Sequence, residues 1–350
     1  MTETRRKIAV GMSGGVDSTV AAMLLREEGF EVLGMTLRLR DDSSRRVGLA
    51  DAERAALMAE QLGIPHEVVD ARAVFEETIV EPFADEYARG RTPSPCIRCN
   101  PLIKFGLLLE EAKRRGCDAV ATGHYVRLEV VSGVWRLRRG VDPRKDQSYF
   151  LHRLTQDKLA RALFPLGGLH KDEVRRYAAG KGLQSVPSGE SQDLCFVESG
   201  HYAAFVERVH PEIVAPGRIV DESGRVLGEH PGFYHYTVGQ RKGLGLAAEE
   251  PYYVKTVRPE TNEVVVGFRQ EIESSVCRLI ETSWIRGAPK AGRFQVQIRY
   301  RHKPVWARVE AVAGDRAVIH FEEPQFAIAP GQAGVVYEAD EVLGGGWIAS

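Results

Sequence analysis

Residues 7 to 28 constrain this chain more than any other stretch. An apolar run ending in glycine, Lys7-Ile-Ala-Val-Gly11, passes through Met12-Ser13-Gly14-Gly15-Val16-Asp17-Ser18 into a segment with Val20, Leu24 and Leu25 at helical spacing. That order predicts strand, loop, helix. Phe30 to Leu39 alternates as a second strand, Leu49 to Leu62 reads as a helix ended by Gly63-Ile64-Pro65, and His66 to Val69 as a third strand. A helix over Phe105 to Arg115 and a strand over Ala119 to Thr122 continue the pattern. Repeated βαβ units imply a parallel sheet flanked by helices, with ligands at the carboxyl ends of its strands. Gly11 to Ser18, Met35 and Gly123 are therefore expected to converge on one crevice.

At 350 residues the chain exceeds one ordinary core. Two helices are expected over Asp157 to Leu163 and Lys171 to Lys181, and another over Tyr202 to Val209. From about Pro216 the texture turns to short strands with Gly and Pro punctuation, and Phe294 to Tyr300, Val305 to Val312, Arg316 to Phe321 and Gly334 to Glu338 read as a small antiparallel barrel. Soft boundaries near 205 and 272 divide the chain into an α/β domain (1–205), a mostly-β central domain (206–271) and a β-barrel (272–350). An apolar fraction of 43% and a charged fraction of 27% are those of a soluble globular protein. The polar start and the lack of any apolar run of spanning length point to the cytoplasm, with no membrane partner. A formal net charge of −1 leaves nucleic acid to local basic patches and gives no reason to expect DNA. Five cysteines, an odd number in a reducing compartment, favour metal or thiol chemistry over a disulfide framework.

The loop Ser13 to Ser18 lacks the Gly-Lys-Ser/Thr of a Walker loop. Adjacent glycines let backbone N–H groups approach a polyphosphate, Ser13 and Ser18 add hydroxyls, and the following helix supplies positive potential. Asp17 sits awkwardly beside phosphate unless it orders the loop or holds Mg²⁺. The plainer reading is a glycine turn with a Ser/Asp cap. Cys96-Ile97-Arg98-Cys99 follows Thr92-Pro-Ser-Pro95 on what reads as a proline-stiffened loop. Two thiols so spaced can chelate a metal, form a disulfide or activate one another, and Arg98 is expected to favour the thiolate. A third thiol, Cys195, ends the polar stretch Gly189-Glu-Ser-Gln-Asp-Leu, whereas Cys117 and Cys277 read as buried packing residues. Arg144 to Phe150 mixes bases, acceptors and aromatics, able to grip phosphate or simply form a solvated turn. Arg286 to Arg308 carries seven Lys/Arg and no Asp/Glu around Phe294, Tyr300 and Trp306, an RNA surface or a solvated barrel face.

Taken together, the pieces resemble the tRNA-specific 2-thiouridylase (MnmA) family, over essentially the whole chain. The matching stretches are Gly11 to Ser18, Asn100 with Ile103-Lys104-Phe105, Thr122-Gly-His-Tyr125, Lys145-Asp-Gln147, Ser191-Gln-Asp-Leu-Cys-Phe196, Tyr236-Thr-Val-Gly-Gln-Arg-Lys-Gly-Leu244, Arg299-Tyr-Arg301, Pro324-Gln-Phe326 and Pro330-Gly-Gln332. The resemblance implies a PP-loop (adenine nucleotide alpha hydrolase-like) α/β domain followed by the two β domains. It also implies a reaction: ATP with Mg²⁺ adenylates the C2 oxygen of the wobble uridine in tRNAs for lysine, glutamate and glutamine, and sulfur then displaces AMP. By position, Gly11, Met12, Ser13, Gly14, Gly15, Val16, Asp17, Ser18, Met35 and Gly123 would bind ATP. Cys99 matches the nucleophile and Cys195 the persulfide carrier. His124, Lys145, Asp146, Gln147, Arg299, Tyr300 and Gln332 match tRNA contacts, and Ser94, Pro95 and Cys96 meet the target base.

That last stretch departs from the commoner Asn-Pro-Asp-x-x-Cys-Asn: Ser94 and Cys96 replace its Asn and Asp. Three thiols result. Cys96, Cys99 and Cys195 could hold a 4Fe-4S cluster whose open iron carries hydrosulfide; in the competing route Cys195 is a persulfide fed by a carrier protein, Cys99 resolves it and Cys96 is a spectator. Arg40 to Gly48 is shorter than the corresponding loop of familiar members. Two rivals stand beside this reading, a PP-loop ligase adenylating a small metabolite and a non-enzymatic nucleotide or iron-sulfur regulatory module.

Overall fold

The computed structural model describes residues 6–40, 51–183, 195–197, 202–312 and 314–349. The start of the second expected helix at Leu49, most of the short loop Arg40 to Gly48 and the polar stretch Gly189 to Leu194 lie outside them. The chain forms two compact units that do not follow consecutive sequence: residues 1–78, 96–196 and 340–342 make one, and 79–95, 197–339 and 343–350 the other.

The first unit is built on a five-stranded parallel sheet. Its strands are β1 (Lys7–Gly11), β2 (Glu31–Arg38), β3 (His66–Asp70), β4 (Ala119–Ala121) and β7 (Ala162–Leu163), in the order β3-β2-β1-β4-β7. Strand β1 is central, and Ile8, Ala9 and Val10 are fully buried, the unbroken apolar run expected of a strand covered on both faces. Helix α1 (Val16–Glu27) turns Val20, Ala21, Ala22 and Leu25 inward, and α2 (Asp51–Leu62) does so with Ala55, Met58, Ala59 and Leu62. Ile8, Val10, Leu25, Met58 and Leu62 share one core cluster, each large apolar side chain contributing about 1.5–3 kcal/mol by burial. A hairpin, β5 (Val126–Val131) and β6 (Val134–Arg139), follows β4. Arg127 and Arg138 bind Asp340, and Arg136 binds Glu341, which ties residues 340–342 to this unit.

Three expectations need correction. Cys96 and Cys99 stand on a helix, Pro95–Cys99, not on a loop. Proline stiffens a first helical turn as readily as a loop, because the N–H it lacks has no helical partner there. This helix runs into a π-helical stretch, Asn100–Leu107, and then an α-helical one, Leu108–Arg114, so the helix starts ten residues before Phe105. The Pro101 carbonyl accepts a hydrogen bond from Lys158 Nζ at 2.5 Å. Second, Asp157 to Leu163 is helical only over Gln156–Leu159; Ala162 and Leu163 instead pair with β4 as an edge strand, a tertiary contact overriding helical propensity. Third, the hairpin β5–β6 was not anticipated, because its alternating charges mask a period of two.

In the second unit β8 (Gly217–Val220), β9 (Val226–His230), β10 (Tyr253–Arg258) and β11 (Glu263–Gly267) form a sheet of order β10-β11-β8-β9. The helix Glu81–Ala88 packs on the helix Tyr202–Val209, with Tyr87 stacked on Tyr202 at 4.6 Å. Strands β12 (Glu273–Trp284), β13 (Gly292–Gln297), β14 (Val305–Val312), β15 (Arg316–Phe326), β16 (Ala333–Glu338) and β17 (Glu341–Ile348) form an antiparallel barrel, closed where Leu279 pairs with Ile348 and Trp284 with Gly344. Strand β17 carries three consecutive glycines, Gly344 to Gly346. In the barrel they are packing residues, since a Cβ on Gly345 would lie 2.2 Å from the Gly334 carbonyl. Among the described residues no helix is long and apolar enough to cross a membrane.

His152, fully buried in the first unit, bonds through Nδ1 to the Tyr149 carbonyl at 2.8 Å, while Nε2 has no partner. Burial pushes its pKa from 6.5 down to about 3. Between those values the unfolded chain binds a proton that the folded one does not, so stability falls as pH drops through that window. Thermal unfolding midpoints between pH 7 and 3.5 should decline with a slope that His152→Gln makes shallower; superimposable profiles would contradict this.

Candidate active site

At the carboxyl end of β1 the chain must leave the sheet and begin α1 within a few residues. Gly11 pairs with Met35 in the sheet, and Met12 N–H donates to the Met35 carbonyl at 2.8 Å. Met12 and Met35 bury their side chains, so what they offer a ligand is backbone. Gly14 takes φ +72°, and a Cβ there would lie 2.5 Å from Arg54 Cβ. Ser18 Oγ donates to the Gly15 carbonyl at 3.1 Å and accepts from Ser13 N–H at 3.2 Å, which curls the loop on itself. Gly15 is the N-cap and no side chain caps the helix, so its first-turn N–H groups and positive dipole end are left for an anion. Gly123, two residues past β4, lies against this turn so closely that a Cβ would be 2.9 Å from Ser18 N. The crevice thus brings Gly11 to Ser18, the Met35 backbone and Gly123 together.

Asp17, in the first turn of α1, is engaged by protein partners. Its Oδ1 accepts from Tyr125 Oη at 2.7 Å and from Lys171 Nζ at 2.6 Å. Of the two roles its position suggested, ordering the loop is the one these contacts perform. Burial and the Asp17 charge both push the Tyr125 phenol upward, which keeps it a donor.

The thiols belong to the same unit. Cys99 is buried, Cys96 half-buried and Cys195 exposed. Burial pushes Cys96 up to about 11 and Cys99 up to about 12, and the charge of Lys104 is the leading influence in the opposite direction on both. The Cys195 thiol is also raised by burial although the residue as a whole is exposed, and Lys104 again opposes. The leading favourable charge on Cys96 and Cys99 is thus Lys104 rather than Arg98, which as a direct helical neighbour of Cys99 points about 100° away from it. Lys104 is five residues beyond Cys99, about 140° away on an α-helix, and the wider π turn narrows that angle. Lys104 Nζ also lies 3.3 Å from Nε2 of His124, whose Nδ1 lies 2.6 Å from Thr122 Oγ1. Burial and Lys104 hold the His124 ring neutral, its pKa well below the usual range. Asn100 donates to the Cys96 carbonyl at 2.9 Å and the Phe150 carbonyl at 3.2 Å, leaving its buried Oδ1 unpartnered. Among the described residues no three His, Cys, Asp or Glu side chains are placed to hold one metal ion. A 4Fe-4S cluster takes each thiolate on a different iron, and Cys96, Cys99 and Cys195 lie close enough to act on one another electrostatically, so they are the residues that would hold one.

Residues 6–199 match the tRNA methyl transferase HUP domain, 203–268 the tRNA methyl transferase PRC-barrel domain and 274–348 the Aminomethyltransferase beta-barrel domain. The chain is 47% identical to the tRNA-specific 2-thiouridylase MnmA of Geobacter metallireducens over 99% of this chain and 98% of that protein. It is 46% identical to the protein of the same name from Carboxydothermus hydrogenoformans, over 98% of each. The chain belongs to the tRNA-specific 2-thiouridylase family. A solved structure of NMN synthetase from Francisella tularensis is similar over 59% of this chain and 84% of that one, at 16% identity and a TM-score of 0.33, which carries no argument.

The positions expected from the resemblance to contact tRNA are placed as follows. Asp146 accepts from Gly140 N–H and from the N–H and hydroxyl of Ser148, and Gln147 Oε1 accepts from Tyr125 N–H, so both side chains shape the turn that carries Lys145. In the second unit Arg299 donates to the Phe326 carbonyl, Gln297 holds the Tyr300 carbonyl, and Gln332 donates to the Thr92 carbonyl at 2.8 Å, near Ser94 and buried Pro95 in sequence. Sequence reasoning gave no role to Lys104, Tyr125 or Lys171. One signal was available: Lys171 opens a helix, where a cation opposes the dipole.

Gly14→Ala should cost about 1–2 kcal/mol for its left-handed backbone, more with the Arg54 contact, and weaken MgATP binding at least tenfold by calorimetry. Gly133→Ala, at φ +77° in open space, carries the strain alone and should leave binding intact. Lys104→Met should raise the thiol pKa values and slow iodoacetamide labelling of Cys96 and Cys99 at pH 9; unchanged labelling would remove Lys104 from this role.

Proposed function

We propose that this chain converts the wobble uridine of tRNA to 2-thiouridine, and that MgATP and a sulfur donor are its co-substrates. The observation that carries the reading is an uncapped helix start behind a glycine loop in the same compact unit as Cys96, Cys99 and Cys195, in a chain of this family. An anion-receiving helix end suits the pyrophosphate of an adenylation, and the thiols suit sulfur transfer. A small-metabolite ligase would leave the thiols and the basic barrel without a task.

In the first step the uridine O2 attacks the α-phosphorus, the bond from that phosphorus to its bridging oxygen breaks, and pyrophosphate and the N3 proton leave. Carbonyl oxygen thereby becomes part of a phosphate ester that can depart. The terminal sulfur of a Cys195 persulfide then bonds to C2, the C2–O bond breaks and AMP leaves. Attack by Cys99 on the Cys195 sulfur releases 2-thiouridine, which regains its proton, and the resulting disulfide is reduced by an external thiol. Lys104 favours the Cys99 thiolate that this step needs.

The domain assignment 1–205, 206–271 and 272–350 goes with this reading, as does a cytoplasmic location. Lys145, Arg299, Tyr300 and Gln332 contact tRNA, and Ser94, Pro95 and Cys96 meet the target base. The donor for this route is a persulfide carrier protein, which passes sulfane sulfur to Cys195 with no net oxidation, whereas hydrosulfide would suit only the cluster alternative; no step here passes through a cluster.

Nucleoside mass spectrometry of tRNA from a strain lacking the gene should show loss of wobble 2-thiouridine derivatives; their persistence would overturn the function. Cys99→Ser and Cys195→Ser should each abolish 2-thiouridine while tRNA-dependent AMP formation continues or accumulates as adenylated tRNA. Anaerobically purified protein should support thiolation from a persulfide donor without iron; activity that requires about four irons per chain would replace the persulfide route by the cluster.

A further inference from the structure

The helix Lys171–Gly180 lies beside α1. Val174 and Ala178 pack with Val20 and Ala21 in one buried cluster. Lys171 reaches Asp17 at one end of the pair, while Lys181 Nζ meets Glu27 at 2.6 Å and Tyr177 meets the same carboxylate at the other. Contacts ten residues apart on both helices mean that they run parallel and bring both N-termini to the glycine loop. Two helix N-termini and an ammonium group therefore gather at one place; Asp142 and Glu173 take up N–H groups at the start of the second helix, whereas no side chain caps α1.

Lys171 is built into this position. Its side chain is 12% exposed, against 33% for Asp17. Its backbone N–H donates to Asp142 Oδ2 at 3.1 Å, from a carboxylate that is fully buried and also accepts from Arg144 N–H. The ammonium stands 5.9 Å over the Tyr125 ring, whose hydroxyl shares the Asp17 oxygen. An ammonium has three N–H donors, and Asp17 takes one.

We propose that Lys171 is a catalytic residue of the adenylation step, held by Asp17 and Tyr125 so that its ammonium receives the pyrophosphate leaving group at the uncapped start of α1. This rests on the function proposed above. When the α-phosphorus separates from its bridging oxygen, negative charge grows on that oxygen and the β-phosphate. A preplaced cation stabilises that charge more than it stabilises bound ATP, which lowers the barrier as well as holding the substrate. Asp17 keeps the lysine aimed with no phosphate bound, which explains an acidic residue in a phosphate loop.

The test uses full-length Lys171→Met, Lys171→Arg and Lys181→Met, the last breaking a comparable ion pair between the same two helices away from the loop. Direct titration of magnesium pyrophosphate into each protein should show at least tenfold weaker binding for Lys171→Met, partial recovery in Lys171→Arg and no change in Lys181→Met. Turnover of ATP to AMP with tRNA should fall on the order of 10²-fold in kcat for Lys171→Met, with a smaller change in KM and unaltered inhibition by AMP. Equal pyrophosphate affinity in wild type and Lys171→Met, or loss matched by Lys181→Met, would overturn the proposal and leave only a helix staple. Should Lys171→Met not fold, Lys171→Arg and Lys171→Gln carry the same comparison. If wild type binds pyrophosphate through Lys171 yet forms no AMP with tRNA, the proposed function fails and the pyrophosphate site stands.

Discussion

The catalytic end of the first unit depends on one backbone manoeuvre: the chain leaves β1 at Gly11 and starts α1 at Val16 with no side chain capping the helix. An uncapped helix start costs stability, and the residues around it show how the cost is met. Gly14 takes the left-handed turn, Ser18 folds its hydroxyl back onto Gly15, and Gly123 lets β4 approach until backbone touches backbone. A capping side chain would satisfy the same N–H groups and remove the anion site. Function and local instability are one feature here.

Charge around that feature is balanced across long sequence distances. Asp17 belongs to the loop, yet its partners are Tyr125 and Lys171, the latter 154 residues away. Lys104 acts similarly at the thiols, where burial alone would hold Cys96 and Cys99 inert well above neutral pH. In both places one partly covered lysine offsets a local penalty, Lys171 beside Asp17 and Lys104 near the thiols.

The second unit serves a different constraint. Its barrel closes without free edges, and its core of Leu279, Val296, Val309, Ile319 and Val336 comes from alternating inward residues. The outward face remains available for charge, including Arg293 stacked on Trp306 at 4.0 Å.

Local signals were legible in the sequence. The run Ile8-Ala-Val10, the glycine pair and the spacing of Val20, Leu24 and Leu25 define strand, loop and helix within neighbouring residues, and the order of motifs identified the family. Other features were not legible, because they depend on contacts between distant residues. Pro95 is equally at home in a loop or a first helical turn, so only the packed structure decided that Cys96 and Cys99 share a helix. Ala162 and Leu163 become a strand because β4 offers an edge. Asp17 gains its meaning from Lys171. Sequence by itself determined which residue types carry the chemistry, through short-range pattern; tertiary structure decided which charge faces which, because a side chain's electrostatic surroundings are set by whatever the fold brings within a few ångströms, wherever it lies in the chain.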